Sequence, residues 1–483
     1  MPRVWPKIGA GFAITGLVLL LVAATASRVK HRQEIDTISD EQKIARTLKI
    51  IRTSTETDHK VLKVLFYGQS ITHSGWDKAV IEHWHQKYPN TVFVVQNRAL
   101  GGFPSSDLLR ATEQDITAFY PDLIIFHVYG DHRAYEKIIR LFRSRTAADI
   151  IVQTDHGEVL PDPPCDEGLR LSLHPEPGCR GVVWVRQRIW EDEMSYHKIP
   201  QFAKEYGLAV EPQRLWWRDY LIHTNTPPQA LLVDAVHPNA KGKELIAQFF
   251  NQYFDGLVEN WRGQHESSVV SIVPDPTGRK DGLEPIRFEG NRIELVSTVP
   301  LPEVPVATID GHSSRDLDGC YQVTRASSVA TVPDWPAIRR ITLKNDHTVE
   351  DWTATLTRIS SDQNEFEYSM RGSLTGDEGH SDSKHAFVSN SGRLSIEAQD
   401  WMLGRAFNLT HIRVVEPYEV HWSTINVCDG TPEVIDLGSG KKQYRYVLGT
   451  GLSNEMHTVH VSSMHKDMYN DVRFLAYKPS LHE

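Results

Sequence analysis

The chain reads as an α/β domain built on a parallel sheet, followed by an all-β domain of the jelly-roll or β-sandwich kind. Three observations predict this. Between about residues 60 and 255, continuous apolar runs alternate with amphipathic segments, as strands buried on both faces alternate with their crossover helices. After about residue 260 the stretches become short, alternating and rich in Thr, Val, Ser and aromatics, with Gly, Asp and Asn turns between them. That is the pattern of antiparallel strands in a sandwich. The 483 residues also exceed what one hydrophobic core usually serves.

Each element follows from its own stretch. VLKVLFY (61–67), TVFVVQN (91–97), DLIIFHVY (122–129) and DIIVQTD (149–155) are strand-like apolar runs. WDKAVIEHWHQKY, PSSDLLRATEQDITAFY and AYEKIIRLFRSR have helical spacing and stand between them. EDEMSYHKIPQFAKEYG and NAKGKELIAQFFNQYF are further helices downstream. PDPTGRKDG then punctuates the chain. Later segments such as NRIELVSTV, WTATLTRIS and DVRFLAY supply the β-domain strands. The boundaries drawn are 1–27 for a leader or anchor, 28–58 for a helical or loose spacer, 59–258 for the α/β domain, 259–284 for a linker and 285–483 for the β-domain.

Composition narrows the class. With 40% hydrophobic and 24% charged residues the chain is not a disordered one. A formal charge of −10 argues against nucleic acid as the main partner. Arg3 and Lys7 precede an apolar run from Ile8 to Ala26 that ends in small residues. This suits a secretory signal peptide, or a single membrane anchor, facing the rest of the chain out of the cytoplasm. Four cysteines fit such an exported chain. Of the three connectivities, pairs 165–179 and 320–428 place one disulfide in each domain. No CxxC or HExxH occurs, so neither a metal nor another cofactor is implied. The sequence leaves the oligomeric state open.

The chemistry is expected where apolar strands stop. The first run ends in Gly68-Gln69-Ser70 and turns into a helix, which offers a serine at the sheet edge where open α/β sheets bind ligands. A serine nucleophile needs a base, an orienting carboxylate and donors for an oxyanion. LLVDAVHPNAKG supplies Asp234 and His237, three apart in a turn just before a long helix. NRALGGFPSSD supplies Gly102 after the second strand, and FHVYGDHRAYE supplies Gly130 and His132 after the third. His127 reads as part of its buried strand. Asp155 and His156 read equally as pocket or turn residues. His83 and His85 point to different helix faces. Trp216, Trp217, Trp335, Trp352, Trp401 and Trp422 read mainly as core, with sugar stacking as the minority role.

This order of blocks resembles the SGNH (GDSL-type) hydrolase superfamily over residues 60–255, with serine after the first strand, glycine after the second and DxxH before the last helix. The resemblance implies a three-layer α/β/α fold and ester hydrolysis through an acyl-enzyme. It implies Ser70 as nucleophile and oxyanion donor, Gly102 as a second donor, His237 as base and Asp234 as its partner. Two positions depart from the family pattern. Gln69 stands where Asp is usual, as in some acetylesterases of the superfamily. His132 stands where Asn is usual, so either His132 is the third donor or the oxyanion hole has two. The β-domain resembles the modules attached to secreted carbohydrate esterases. Together these imply an exported serine esterase acting on O-acetyl groups of carbohydrate, with a glycan O-acyltransferase or a non-catalytic glycan-binding protein as alternatives.

Overall fold

A computed structural model describes residues 38–157, 190–234, 236–263, 268–274, 284–344, 347–462, 468 and 470–481. The leader run and the Cys165–Cys179 pairing lie outside these residues.

Five parallel strands form the first sheet: β1 (Lys60–Gly68), β2 (Thr91–Asn97), β3 (Leu123–His127), β4 (Asp149–Gln153) and β5 (Ala209–Glu211). Their order is β2-β1-β3-β4-β5. The direction of winding therefore reverses at β1, and the crevice at the carboxyl ends of β1 and β3 is the switch point where doubly wound sheets hold ligands. The helices are α1 (Asp40–Lys43), α2 (Ala45–Thr53), α3 (Ser70–His73), α4 (Asp77–Lys87), α5 (Ser105–Phe119), α6 (His132–Arg145), α7 (Ile199–Tyr206), α8 (Gln213–Thr224) and α9 (Ala240–Asn260).

Alternation along β1 explains its unbroken apolar sequence. Leu65 and Tyr67 face α5, α6 and α7, while Leu62, Val64 and Phe66 face α2, α4, α8 and α9. Both faces are buried, so no polar position interrupts the run. Trp84 of α4 is fully buried, with ring centroids 5.2 Å from Phe93 and 4.7 Å from Phe254. Truncating it to Ala removes a large core side chain, a loss of about 3–5 kcal/mol.

Two stretches add detail that the sequence does not show. Within the expected spacer, α2 buries Ala45, Leu48 and Ile51 on the sheet, and Thr47 N–H donates to Asp149 at 2.7 Å. Strand β5 is not visible in the sequence, because AVE is only three residues between Gly207 and Pro212 and too short for a period to register.

The C-terminal region is antiparallel. One sheet has five strands, including Glu350–Thr357 and Tyr418–Asn426, and another contains seven, including Ile286–Ser297 and Lys441–Val461. Cys320 and Cys428 form the expected disulfide. Trp335, Trp352, Trp401 and Trp422 are all buried, as core residues are. The seven-stranded sheet packs a core of its own. The core of the five-stranded sheet continues without a break into α5, α6 and α7. Arg110 grips Asp400 through two nitrogens, and Arg325 reaches Asp115 at 2.7 Å across the same junction. The two regions are therefore packed as one body at this face, beside the switch point.

Candidate active site

β1 ends at Gly68 because nothing larger passes. A methyl group on Gly68 would lie 2.0 Å from the His127 carbonyl oxygen at the end of β3. The next residue, Gln69, caps α3 by accepting the Ile71 amide on Oε1 at 3.1 Å. Ser70 is then the first residue of the helix, and its own amide has no intrahelical acceptor.

The loop that carries Asp234 and His237 is braced by its backbone. Leu232 and Pro238 form an isolated antiparallel bridge, and Val233 N–H donates to the His237 carbonyl at 2.8 Å. Asn239 caps α9 by accepting the Gly242 amide at 3.1 Å. In this turn Asp234 Oδ1 accepts the amides of Val236 and His237 at 2.8 and 2.7 Å. Its Oδ2 lies 2.7 Å from His237 Nδ1. His237 Nε2 lies 2.9 Å from Ser70 Oγ. Sequence positions 70, 234 and 237 thus meet in one chain of hydrogen bonds.

Charge fixes the direction of that chain. The His237 amide first, and then the Val236 amide and the imidazole, hold the Asp234 carboxyl down at about 2. The carboxylate accepts the proton of Nδ1, which leaves Nε2 as the acceptor facing Ser70. The hydroxyl has a second acceptor, Gln69 Oε1, at 2.6 Å. One proton cannot serve both, so Gln69 competes with the base until an ester reorients the hydroxyl. The site is shallow, with the Asp234 and His237 side chains 54% and 42% exposed.

On the other side of Ser70 runs the loop after β2. Gly101 lies against the serine: a Cβ placed on it would sit 3.8 Å from Ser70 Cβ. Gly102 follows at φ +77°, a left-handed conformation that favours glycine. Neither amide has an acceptor among the described residues. His132 is placed elsewhere: it opens α6 with its ring 5.2 Å from Trp190. Burial first, and then Lys198, lower its pKa. It makes no hydrogen bond to Ser70, Gly102 or His237, so the structure does not join it to the oxyanion side.

Behind the site runs a buried polar chain that the sequence does not reveal. Gln69 Nε2 faces His127 Nδ1 at 3.4 Å. His127 Nε2 and His156 Nδ1 approach Asp155 Oδ1 at 3.2 and 3.0 Å, as charge contacts rather than aligned hydrogen bonds. His156 Nε2 donates to the Val236 carbonyl at 2.7 Å, inside the loop of the base. The Val236 carbonyl can only accept, so His156 carries a proton on Nε2, and Nδ1 faces the Asp155 carboxylate. Burial lowers its pKa, but Asp155 outweighs this and the result is raised. Burial likewise pushes Asp155 up, and the two imidazoles outweigh it and hold the carboxyl well below its usual range. The clue in the sequence is the position of Asp155 and His156 at the end of the fourth strand.

Fold and site together describe a serine, histidine and aspartate constellation at the switch point of a doubly wound sheet. Among the described residues no three His, Cys, Asp or Glu side chains converge on a metal-sized site. No family model and no curated protein matches the chain. Among solved structures, it is similar to a two-domain esterase active on acetylated mannans, at 13% identity over 91% of this chain and 96% of that one, with a TM-score of 0.34. It is also similar to an acetylxylan esterase from Geobacillus stearothermophilus, at 17% identity over 42% of this chain and 97% of that one, TM-score 0.31. An α/β hydrolase from the metagenome of Lake Arreo, Spain, matches at 19% identity over 41% and 96%, TM-score 0.31. These likenesses are too remote to assign chemistry, which has to come from the residues of this chain.

Proposed function

We propose that the protein is a serine esterase of the SGNH type that acts outside the cytoplasm on acyl groups, O-acetyl above all, carried by carbohydrate. One observation carries the reading: His237 lies within hydrogen-bond reach of both Ser70 and Asp234, at 2.9 and 2.7 Å. His237 takes the Ser70 proton as Oγ attacks the ester carbonyl. It returns that proton to the leaving alcohol and then activates water against the acyl-enzyme. The amides of Ser70 and Gly102 are the proposed donors to the oxyanion.

The exposed Asp234 and His237 side chains support a large substrate, such as an ester carried on a polymer. The carbohydrate class rests on the resemblance of the motif order and of the C-terminal region to secreted carbohydrate esterases. Export rests on the charged, apolar and small-residue pattern at the start of the chain. The Cys320–Cys428 disulfide suits an oxidising compartment.

The test is turnover of p-nitrophenyl acetate and of acetylated oligosaccharides by wild type and Ser70→Ala. The expected result is acetate release that falls by about 10⁴-fold or more in the variant. Equal activity in the folded variant excludes Ser70 as nucleophile.

A further inference from the structure

The strand Val332–Pro336 of the C-terminal region lies against the nucleophile's own loops. Its Asp334 carboxylate lies 3.2 Å from His73 Nε2, at the end of the helix that Ser70 begins. Its Trp335 indole Nε1–H donates to the Gly101 carbonyl at 2.7 Å. The indole is 3% exposed and sits edge-on to Phe103, with centroids 5.1 Å apart and planes at 77°. From helix α10 (Leu403–Thr410), Arg405 Nη2 donates to the next carbonyl, Gly102, at 2.9 Å. Two successive carbonyls of the glycine loop are thus held by the other domain.

Peptide geometry turns this into a statement about catalysis. The Gly101 carbonyl and the Gly102 amide belong to one planar, trans peptide, so they point in opposite directions. Whatever fixes the carbonyl fixes the amide. With its carbonyl pinned on Trp335, the amide of Gly102 is turned away from the indole and has no acceptor among the described residues. The same packing explains the glycine. A Cβ on Gly102 would lie 3.3 Å from the indole, on a backbone already at φ +77°.

We infer that Trp335 is a positioning residue for the esterase reaction: the C-terminal domain, through the indole N–H, sets the direction of the Gly102 amide that receives the oxyanion. The inference rests on the esterase reading above. It gives the C-terminal domain a share in the chemical step, beyond any role in holding substrate.

The experiment compares wild type with Trp335→Phe, which keeps an aromatic ring against Phe103 and removes the donor. A second variant places benzothienylalanine at 335, which keeps the shape of the indole and lacks the N–H. The substrates are p-nitrophenyl acetate and its thiono analogue, whose sulfur accepts hydrogen bonds poorly. The expected result is a kcat for the oxo ester lowered on the order of ten- to a hundredfold, as for a weakened oxyanion donor. KM stays close to wild type in both variants, the thermal midpoint falls less for the shape-preserving benzothienylalanine than for Phe, and the oxo-to-thiono rate ratio falls with kcat. An unchanged kcat, or equal losses on both substrates, overturns the inference.

Fluorophosphonate labelling separates the two claims. A wild type that neither turns over ester nor is labelled defeats the esterase reading. The positioning claim is then decided by crystal structures of wild type and Trp335→Phe. A Gly101–Gly102 peptide in the same orientation in both overturns it, and a rotated peptide upholds the indole's control of the peptide while its catalytic meaning falls with the esterase reading.

Discussion

On one side of Ser70 the base stands on a loop that braces itself, with the Leu232–Pro238 bridge, the Asp234 acceptor of two amides and the Asn239 cap all within a few residues. On the other side the glycine loop is braced by Trp335 and Arg405, which lie 234 and 303 residues away from the carbonyls they hold. The His237 turn rests on the α/β domain alone, on its own bonds and on His156 behind it. The glycine loop rests on the C-terminal region as well. On the proposed roles, proton transfer and charge stabilisation then have separate supports, and a lesion should damage one while sparing the other.

The largest expected effects lie on the base side. His237→Ala removes the proton acceptor, and kcat for an acetyl ester should fall by about 10⁴-fold. Asp234→Asn should cost nearly as much, because the amide offers a donor to Nδ1 and favours the wrong tautomer. The Asp234 carboxyl titrates at about 2. Any loss of activity on mild acidification from neutral pH should therefore not come from protonation of this carboxylate. A pH–rate profile of kcat/KM checks this. An intermediate loss, confined to kcat and to oxo esters, is the prediction for Trp335→Phe.

A smaller effect is expected behind His237, where His156 Nε2 donates to the Val236 carbonyl. The folded pKa of His156 is raised, so its contribution to stability is fully present below its unfolded value of about 6.5 and is lost as pH rises through the folded value. Asp155 is depressed, so its contribution is present above its unfolded value of about 3.9 and is lost on acidification through its lower folded value. His156→Gln keeps a donor for the carbonyl and removes the charge. The gap in thermal midpoint between wild type and this variant should be widest between about pH 4 and 6.5 and should narrow toward pH 9. A gap that widens with pH contradicts a raised His156 pKa. Smallest of all, His132→Ala should leave kcat within about twofold, since a residue packed on Trp190 contributes no oxyanion donor.

The same contrast governs what the sequence reveals. Ser70, Asp234 and His237 are legible because each is announced locally, by an abrupt strand end or by a three-residue spacing before a helix. The layers of the α/β domain are legible because strands buried on both faces leave unbroken apolar runs. Strand β5 and helix α2 are not, since three residues hold no period and α2 lies in a polar stretch whose apolar face shows only on packing. Trp335 gives no local signal: its role arises from a peptide 234 residues earlier. His132 shows where alignment stops short: the spacing offers it as a donor, whereas in the fold it opens α6 with its ring beside Trp190 and makes no bond to Ser70.

The most direct measurement is the intact mass of the protein after exposure to a fluorophosphonate, followed by peptide mapping. The expected result is one adduct per chain, on Ser70, absent from Ser70→Ala and strongly slowed in His237→Ala. Labelling at another residue, or no labelling of folded wild type that also lacks esterase turnover, contradicts the assignment of Ser70 as an activated nucleophile.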